Sequence, residues 1–277
     1  MEQRLTGKVA FITGAARGQG RSHAILLAQE GARIIATDLC EQVPGVPYPM
    51  STPADLDETV RAVEAIGGQI VTTRADVRDP EAMADALAAG TTMFGGVDIV
   101  VANAGICDFS AADGDISPEA WRTMIDINLT GVWNTVRPAL PALRARGGGS
   151  IIMTSSVLGL KGLDNMAHYV AAKHGVVGLM RSLAVQLGPA NIRVNTIHPT
   201  NVDTPMLQND AIHGLFLPDI DAPSRDDFAK VTTDAVVLPI PWVESIDISN
   251  AVLFLASNEA RYITGVALPV DAGALVK

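Results

Sequence analysis

Cysteine is scarce. Cys40 and Cys107 are the two thiols in 277 residues, too few for a disulfide framework and suited to a reducing compartment such as the cytoplasm. Neither lies at metal-ligand spacing from a second cysteine or a histidine, and His23, His168, His174, His198 and His213 are scattered, so no metal site is expected. Aromatics are only 4% of a chain that is 48% hydrophobic; Ala, Val, Ile, Leu and Gly must therefore form the core. No apolar run reaches the length of a membrane span. Residues 1–8 are polar and lead straight into strand-like sequence, so no signal peptide is expected. There is no Pro/Gly/Ser linker between balanced halves, and a single domain over 1–277 is expected. Positive charge is also in deficit: 20 Lys and Arg against 30 Asp and Glu, net −10. An acidic surface argues against nucleic acid or an anionic membrane as the main partner.

What is present is a regular alternation. β-rich runs at 9–13, 33–37, 69–73, 97–101, 150–154, 192–197 and 266–270 are separated by helical stretches. Thr52-Pro53, Asp79-Pro80 and Ser117-Pro118 each put a capping residue before a proline at the first helical position. The helix after Ser117 should break near Pro138 and Pro141. Further helices are expected at 168–187 and 244–257, a Pro-rich loop at 40–53, and an irregular segment at 203–241. Alternating strands and helices imply an α/β fold: a doubly wound, mostly parallel, seven-stranded sheet with helices on both faces, the Rossmann arrangement. Ligands in such sheets sit beyond the C-terminal ends of the strands.

The candidate functional residues fall at those ends. Between the first strand and first helix lies Thr13-Gly14-Ala15-Ala16-Arg17-Gly18-Gln19-Gly20, with spacing G-x-x-x-G-x-G. Glycines there allow a tight turn and close backbone approach, and the helix N-terminus offers free N–H groups to a pyrophosphate. Asp38, followed by Leu39, ends the second strand; a carboxylate there can accept from both adenosine ribose hydroxyls and would repel a 2′-phosphate, which favours NAD over NADP. Arg17 is a counter-signal, because it could pair with a phosphate. Asp76-Val77 and Asn103-Ala104-Gly105 mark the next two strand ends, where adenine and the second ribose should lie.

Tyr169 and Lys173, four apart on a helix, share a face. An unperturbed tyrosine titrates near 10; a nearby ammonium lowers that value and makes the phenol a usable acid–base for an alcohol or ketone oxygen. Ser155 and Ser156 close the fifth strand beside them.

Taken together in this order, Thr13 to Gly20, Asn103-Ala104-Gly105, Asn128, Ser156 and Tyr169-x-x-x-Lys173 resemble the short-chain dehydrogenases/reductases over nearly the whole chain. The resemblance implies that Tyr169 exchanges a proton with the substrate oxygen. It also implies that Lys173 holds the nicotinamide ribose and tunes Tyr169, Ser156 orients the substrate, and Asn128 holds a relay water. Pro199, Val202 and Thr204 belong to a segment that, by resemblance, contacts the nicotinamide carboxamide and phosphates, although His198-Pro199-Thr200 replaces the family's usual Pro-Gly. Gln19 stands where the family usually has an aliphatic residue. The family would explain the largely apolar helix 166–187 by burial in a homodimer or homotetramer; His174 is read as a packed or interface residue. Residues 15–23, 40–53, 198–210 and 238–247 resemble the carveol dehydrogenases and the mycofactocin-coupled branch. That implies a small apolar cyclic alcohol or ketone as substrate, NAD held between turnovers under the insertion at 40–53, and an external redox carrier. Residues 203–241 are expected to form a lid, with Leu207, Ile212, Leu215, Phe216 and Leu217 lining an apolar pocket. A steroid or 3-oxoacyl reductase, and a non-catalytic NAD-binding redox sensor, are the competing readings.

Overall fold

The computed structural model describes residues 3–109 and 114–277; Met1 and Glu2, at the polar start of the chain, lie outside them. The strands are β1 (Val9–Thr13), β2 (Arg33–Asp38), β3 (Ile70–Arg74), β4 (Ile99–Ala102), β5 (Gly149–Thr154), β6 (Ile192–Pro199) and β7 (Ala267–Val270). They form one sheet in the order β3-β2-β1-β4-β5-β6-β7, and every neighbouring pair is parallel. The chain winds outward from β1 in one direction, then restarts at β4 and winds the other way. The crevice between the ends of β1 and β4 is therefore the switch point at which such sheets bind ligands.

Alternation within each strand divides the core in two. Val9 and Phe11 face α3 (Pro80–Phe94) and α7 (Ala167–Leu187) through Met83, Leu87, Val176 and Met180. Ala10 and Ile12 face α1 (Gly18–Gln29) and α10 (Ser245–Ala256) through Leu27, Val252 and Leu253. Burial of each such side chain stabilises the fold by about 1.5–3 kcal/mol. The helices start where capping chemistry requires. Before α2 (Pro53–Ala65), Thr52 and Asp55 form a reciprocal capping box; Asp79 caps α3, and Ser117 caps α4 (Pro118–Ile125).

One expectation needs adding to and one needs correction. The helix after Ser117 breaks at Pro138, in a 3-10 turn at Arg137–Ala139 between α5 (Gly131–Val136) and α6 (Leu140–Ala145), but it is also interrupted earlier, by a π-helical turn at Asp126–Thr130. The extra residue in that turn holds Asn128 fully buried. The segment 203–241 is not irregular throughout: α8 (Asp210–Phe216) is capped by Asn209, and α9 (Arg225–Asp234) by a Ser224–Asp227 box. An aromatic cluster holds these helices, with Phe228 stacked on His213 at 4.5 Å and on Trp242 at 6.3 Å. Arg225 ties the cluster down, lying 4.6 Å over the Trp242 ring and 2.6 Å from the Asp203 carboxylate. Of the two readings of His174, the packed one does not hold within the chain: the ring is exposed, with Nδ1 2.9 Å from the Val170 carbonyl one turn earlier, which leaves the interface reading.

Two histidines are buried completely, and burial pushes His23 down to about 3 and His198 down to about 4. An unfolded imidazole takes up its proton near 6.5. Between that pH and the folded values the unfolded chain binds more protons. The stability these groups contribute is thus present above about 6.5 and lost as pH falls through 4 and 3. The melting temperature should fall steadily over that window, and less steeply in His198→Asn. An unchanged slope in the variant would remove His198 from the account.

Candidate active site

The turn after β1 is shaped by backbone crowding. A Cβ on Gly20 would lie 2.0 Å from the Gly14 carbonyl oxygen; one on Gly14, at φ +67°, would lie 2.8 Å from the Ala104 Cα. The turn can therefore close only without those side chains, and it aims the N-terminus of α1 into the crevice. Thr13 and Asn103 fasten the two strand ends that bound it. Thr13 Oγ1 accepts from the Asn103 and Ala104 N–H groups, both at 3.1 Å, and Asn103 Nδ2 donates to the Thr13 carbonyl at 3.1 Å. Thr154, at the end of β5, donates to Asn103 Oδ1 at 3.3 Å.

Gly14, Arg17, Gly18, Gln19, Gly20, Asp38, Leu39, Asp76, Val77, Asn103, Ala104, Gly105 and Thr204 line one cleft of about 920 Å³. Asp38 sits at its rim. Its Oδ2 accepts from Ala16 N–H at 3.0 Å, while Oδ1 accepts from Cys40 N–H at 3.1 Å and from Ser51 Oγ at 2.6 Å. The last two donors bracket the insertion at 40–53. Arg17 engages the insertion as well, donating to the Pro49 carbonyl at 2.6 Å. Tyr48, 3% exposed, reaches across and accepts from Cys107 N–H at 3.0 Å. The insertion thus lies over the cleft, with Val43, Tyr48 and Met50 on its lining. Asp76 is paired with Arg78 on the same wall.

Ser156, Tyr169, Lys173, Pro199 and Val202 line a second cleft of about 1250 Å³, which also reaches Gln19, Asn103, Gly105 and Thr204. Lys173 is 4% exposed; its Nζ donates to the Thr154 carbonyl at 3.0 Å and lies 5.6 Å from the Tyr169 ring centroid. Burial pulls the Lys173 ammonium down to about 8. The Tyr169 phenol departs from expectation: burial pushes it up, Cys107 adds to the rise, and a hydrogen bond with Ser156 pulls it partly back. The two serines are distinguished by direction. Ser155 Oγ donates backward to the Lys173 carbonyl at 2.9 Å, leaving Ser156 to meet the phenol.

Asn128 lines neither cleft. Its Oδ1 accepts from Ile106 N–H and its Nδ2 donates to the Ile106 carbonyl, each at 2.8 Å, with Met124 Sδ at 3.0 Å from Nδ2. The side chain is therefore a clamp on the 103–106 loop. Four of the five expected pocket residues, Leu207, Ile212, Leu215 and Phe216, reach the second cleft; Leu217 does not. Sequence reasoning gave no positioning role to Thr13 or His198, which it named only within their motifs, and missed Thr154. His198 Nδ1 lies 2.6 Å from the Ser156 carbonyl, and its Nε2 2.8 Å from Thr196 Oγ1. A carbonyl only accepts, so Nδ1 carries the proton. The signal for all three was a polar residue ending a buried strand.

A family profile described as enoyl-(acyl carrier protein) reductase matches residues 14–274. The chain is 53% identical, over 99% of both sequences, to (-)-trans-carveol dehydrogenase of Rhodococcus erythropolis. The chain belongs to the short-chain dehydrogenase/reductase family. Two solved structures of this family lie close to it. Carveol dehydrogenase from Mycobacterium avium in complex with NAD superposes with a TM-score of 0.97 at 55% identity, over 99% of this chain and 100% of that one. A short-chain dehydrogenase from Mycobacterium paratuberculosis bound to NAD gives 0.90 at 43%, over 99% and 100%.

Within this short-chain dehydrogenase/reductase, Gly20→Ala should force the β1–α1 turn apart. We expect dinucleotide affinity to drop at least tenfold and stability to fall by about 1–3 kcal/mol, as for strained backbone sites. Calorimetric titration and thermal melting read both. Wild-type affinity in the variant would mean the turn does not bind the dinucleotide.

Proposed function

We propose that this protein is an NAD-dependent alcohol dehydrogenase that oxidises a cyclic secondary alcohol of the terpenoid type, such as carveol. The carrying observation is that the cleft behind the glycine turn and the cleft holding Ser156, Tyr169 and Lys173 open into each other through shared walls. The names of the two carveol dehydrogenases support the substrate class. The apolar lid residues Ile212, Leu215 and Phe216 support it independently, since a cyclic hydrocarbon needs apolar walls.

The residues present fit NAD. The turn admits no Cβ at Gly14 or Gly20, as close approach of a pyrophosphate requires. Asp38 would hold the adenosine ribose and disfavour a 2′-phosphate. Leu39, Asp76 and Val77 would flank the adenine, Lys173 the second ribose, and Pro199, Val202 and Thr204 the nicotinamide end. When bound, NAD supplies a cationic ring that takes the hydride from the carbinol carbon. Tyr169 Oη takes the hydroxyl proton, and Ser156 Oγ fixes the oxygen it comes from. Lys173 stabilises the phenolate once its ammonium is drawn from the Thr154 carbonyl. His198 holds the Ser156 backbone, and Asn128 acts as a positioning residue through Ile106. The lid at 203–241 closes the substrate side. Grouping of all three reacting side chains weighs against a non-catalytic sensor.

On α7, Ala171, His174, Gly178, Ser182 and Val185 are exposed at helical spacing, Val185 to 82%, and this small-residue face supports assembly as a homodimer or homotetramer. Among the described residues no helix is long and apolar enough to cross a membrane; with two free thiols, this supports a cytoplasmic setting. Tyr169→Phe should retain NAD binding and lose about 10²–10⁴ of its turnover of carveol, the usual worth of a positioned acid–base. Substantial residual turnover at neutral pH would remove Tyr169 from the reaction.

The insertion also bears on cofactor exchange. Its Tyr48–Cys107, Ser51–Asp38 and Arg17–Pro49 contacts support a cover that retains NAD, with electrons leaving to an external redox carrier of the mycofactocin kind. Purified protein should keep NAD through dialysis. Carveol should reduce that NAD once, with continued turnover only after an artificial acceptor is added. Rapid exchange with sustained reduction of free NAD would refute the cover.

A further inference from the structure

Six residues line both clefts: Gln19, Asn103, Gly105, Ile106, Thr204 and Met206. Ile106 and Met206 present only apolar side chains there, and Gly105 none. Asn103 is fully engaged, donating to the Thr13 and Gly14 carbonyls and accepting from Thr154. Thr204 donates to the Val202 carbonyl. Gln19 differs: its Oε1 is buried with no hydrogen-bond partner. A buried acceptor left unpaired is costly, and it marks a place where a donor is missing.

We infer that Gln19 Oε1 accepts a hydrogen bond from the carboxamide NH₂ of the nicotinamide, and so sets the rotation of the reacting ring. The inference rests on the reading of the cleft as an NAD site. Gln19 lies in the first turn of α1, beside the phosphate-facing turn, and its neighbour Gly18 abuts Thr204, the side chain that closes the opposite wall. Part of a dinucleotide at the junction, between the phosphate turn and Tyr169, must be the nicotinamide. That end carries two kinds of donor, the carboxamide NH₂ and the ribose hydroxyls; the ribose is already given to Lys173, which leaves the carboxamide, and the adenine amine lies at the far end. An aliphatic side chain at position 19 would leave the carboxamide without this acceptor. Fixing the carboxamide fixes which ring face meets a substrate held by Ser156 and Tyr169, so Gln19 is a positioning residue for hydride transfer.

The test is a cycle between side chain and cofactor. Full-length protein freed of nucleotide is titrated calorimetrically with NAD and with 3-acetylpyridine adenine dinucleotide, in which a methyl group replaces the carboxamide NH₂. Gln19→Leu, with Gln19→Met as a second variant of closer shape, should weaken NAD about three- to tenfold, the worth of one net hydrogen bond. Both should narrow the preference for NAD over the acetylpyridine analogue by the same factor. The ligand-free variants should melt no lower than wild type, because an unpaired buried acceptor has been removed. A preference unchanged in both variants, or absent from wild type, overturns the assignment of Gln19 while leaving the NAD site intact. Failure of wild type to bind NAD at all overturns the NAD reading and this inference with it.

Discussion

The clasp between Thr13 and Asn103 is the constraint on which the rest of the site depends. Two strands that run side by side diverge at their C-terminal ends, and their last N–H and C=O groups lose ladder partners there. Thr13 Oγ1 and Asn103 Nδ2 satisfy four of those groups across the gap. The crevice is thereby held open at a set width with its buried polar groups paired. Thr154 extends the clasp to β5 through Asn103 Oδ1, and its carbonyl receives Lys173. One hydrogen-bonded chain thus links the β1–α1 turn to α7. A change in either strand end would be felt at both.

The electrostatics of the reacting group follow from burial on that frame. Lys173 and Tyr169 are both destabilised in their charged forms, the ammonium to about 8 and the phenol upward. At neutral pH Lys173 still keeps its proton for the most part, while the phenol stays neutral. Positive charge brought into the cleft by a ligand would favour the phenolate. His198, held neutral and hydrogen-bonded on both ring nitrogens, keeps the Ser156 backbone fixed through such changes.

Two covers meet over the clefts and are built differently. The insertion at 40–53 is stiffened by four prolines, and Gln42 braces it internally, donating to the Val46 carbonyl and accepting from Met50 N–H. Little entropy remains to be lost on closing over a ligand. The segment at 203–241 is two short helices hung on Phe228 and on the Asp203–Arg225–Trp242 contact. Its surface tether is exposed and weaker.

Much of this was determined by the sequence alone. The strand and helix alternation, the Pro-led helix starts, the glycine turn, Asp38 and the Tyr169–Lys173 spacing are local patterns, and local backbone physics suffices to read them. The interruption at Asp126–Thr130 was not legible, because no Pro or Gly marks it; it exists so that Asn128 can reach Ile106. The helices at 210–216 and 225–234 were not legible as such because they are short and are held by Phe228 packing on His213, Phe216 and Trp242, contacts between elements and not within one helix. The direction of the Tyr169 shift was decided by burial, which depends on the whole assembled cleft. Likewise only the folded chain could show that Ser155 turns away, that Asn128 clamps a loop, and that Gln19 carries an unpaired oxygen. Each depends on which groups meet across the switch point, and residues 13, 103 and 154 meet there only after the sheet has formed.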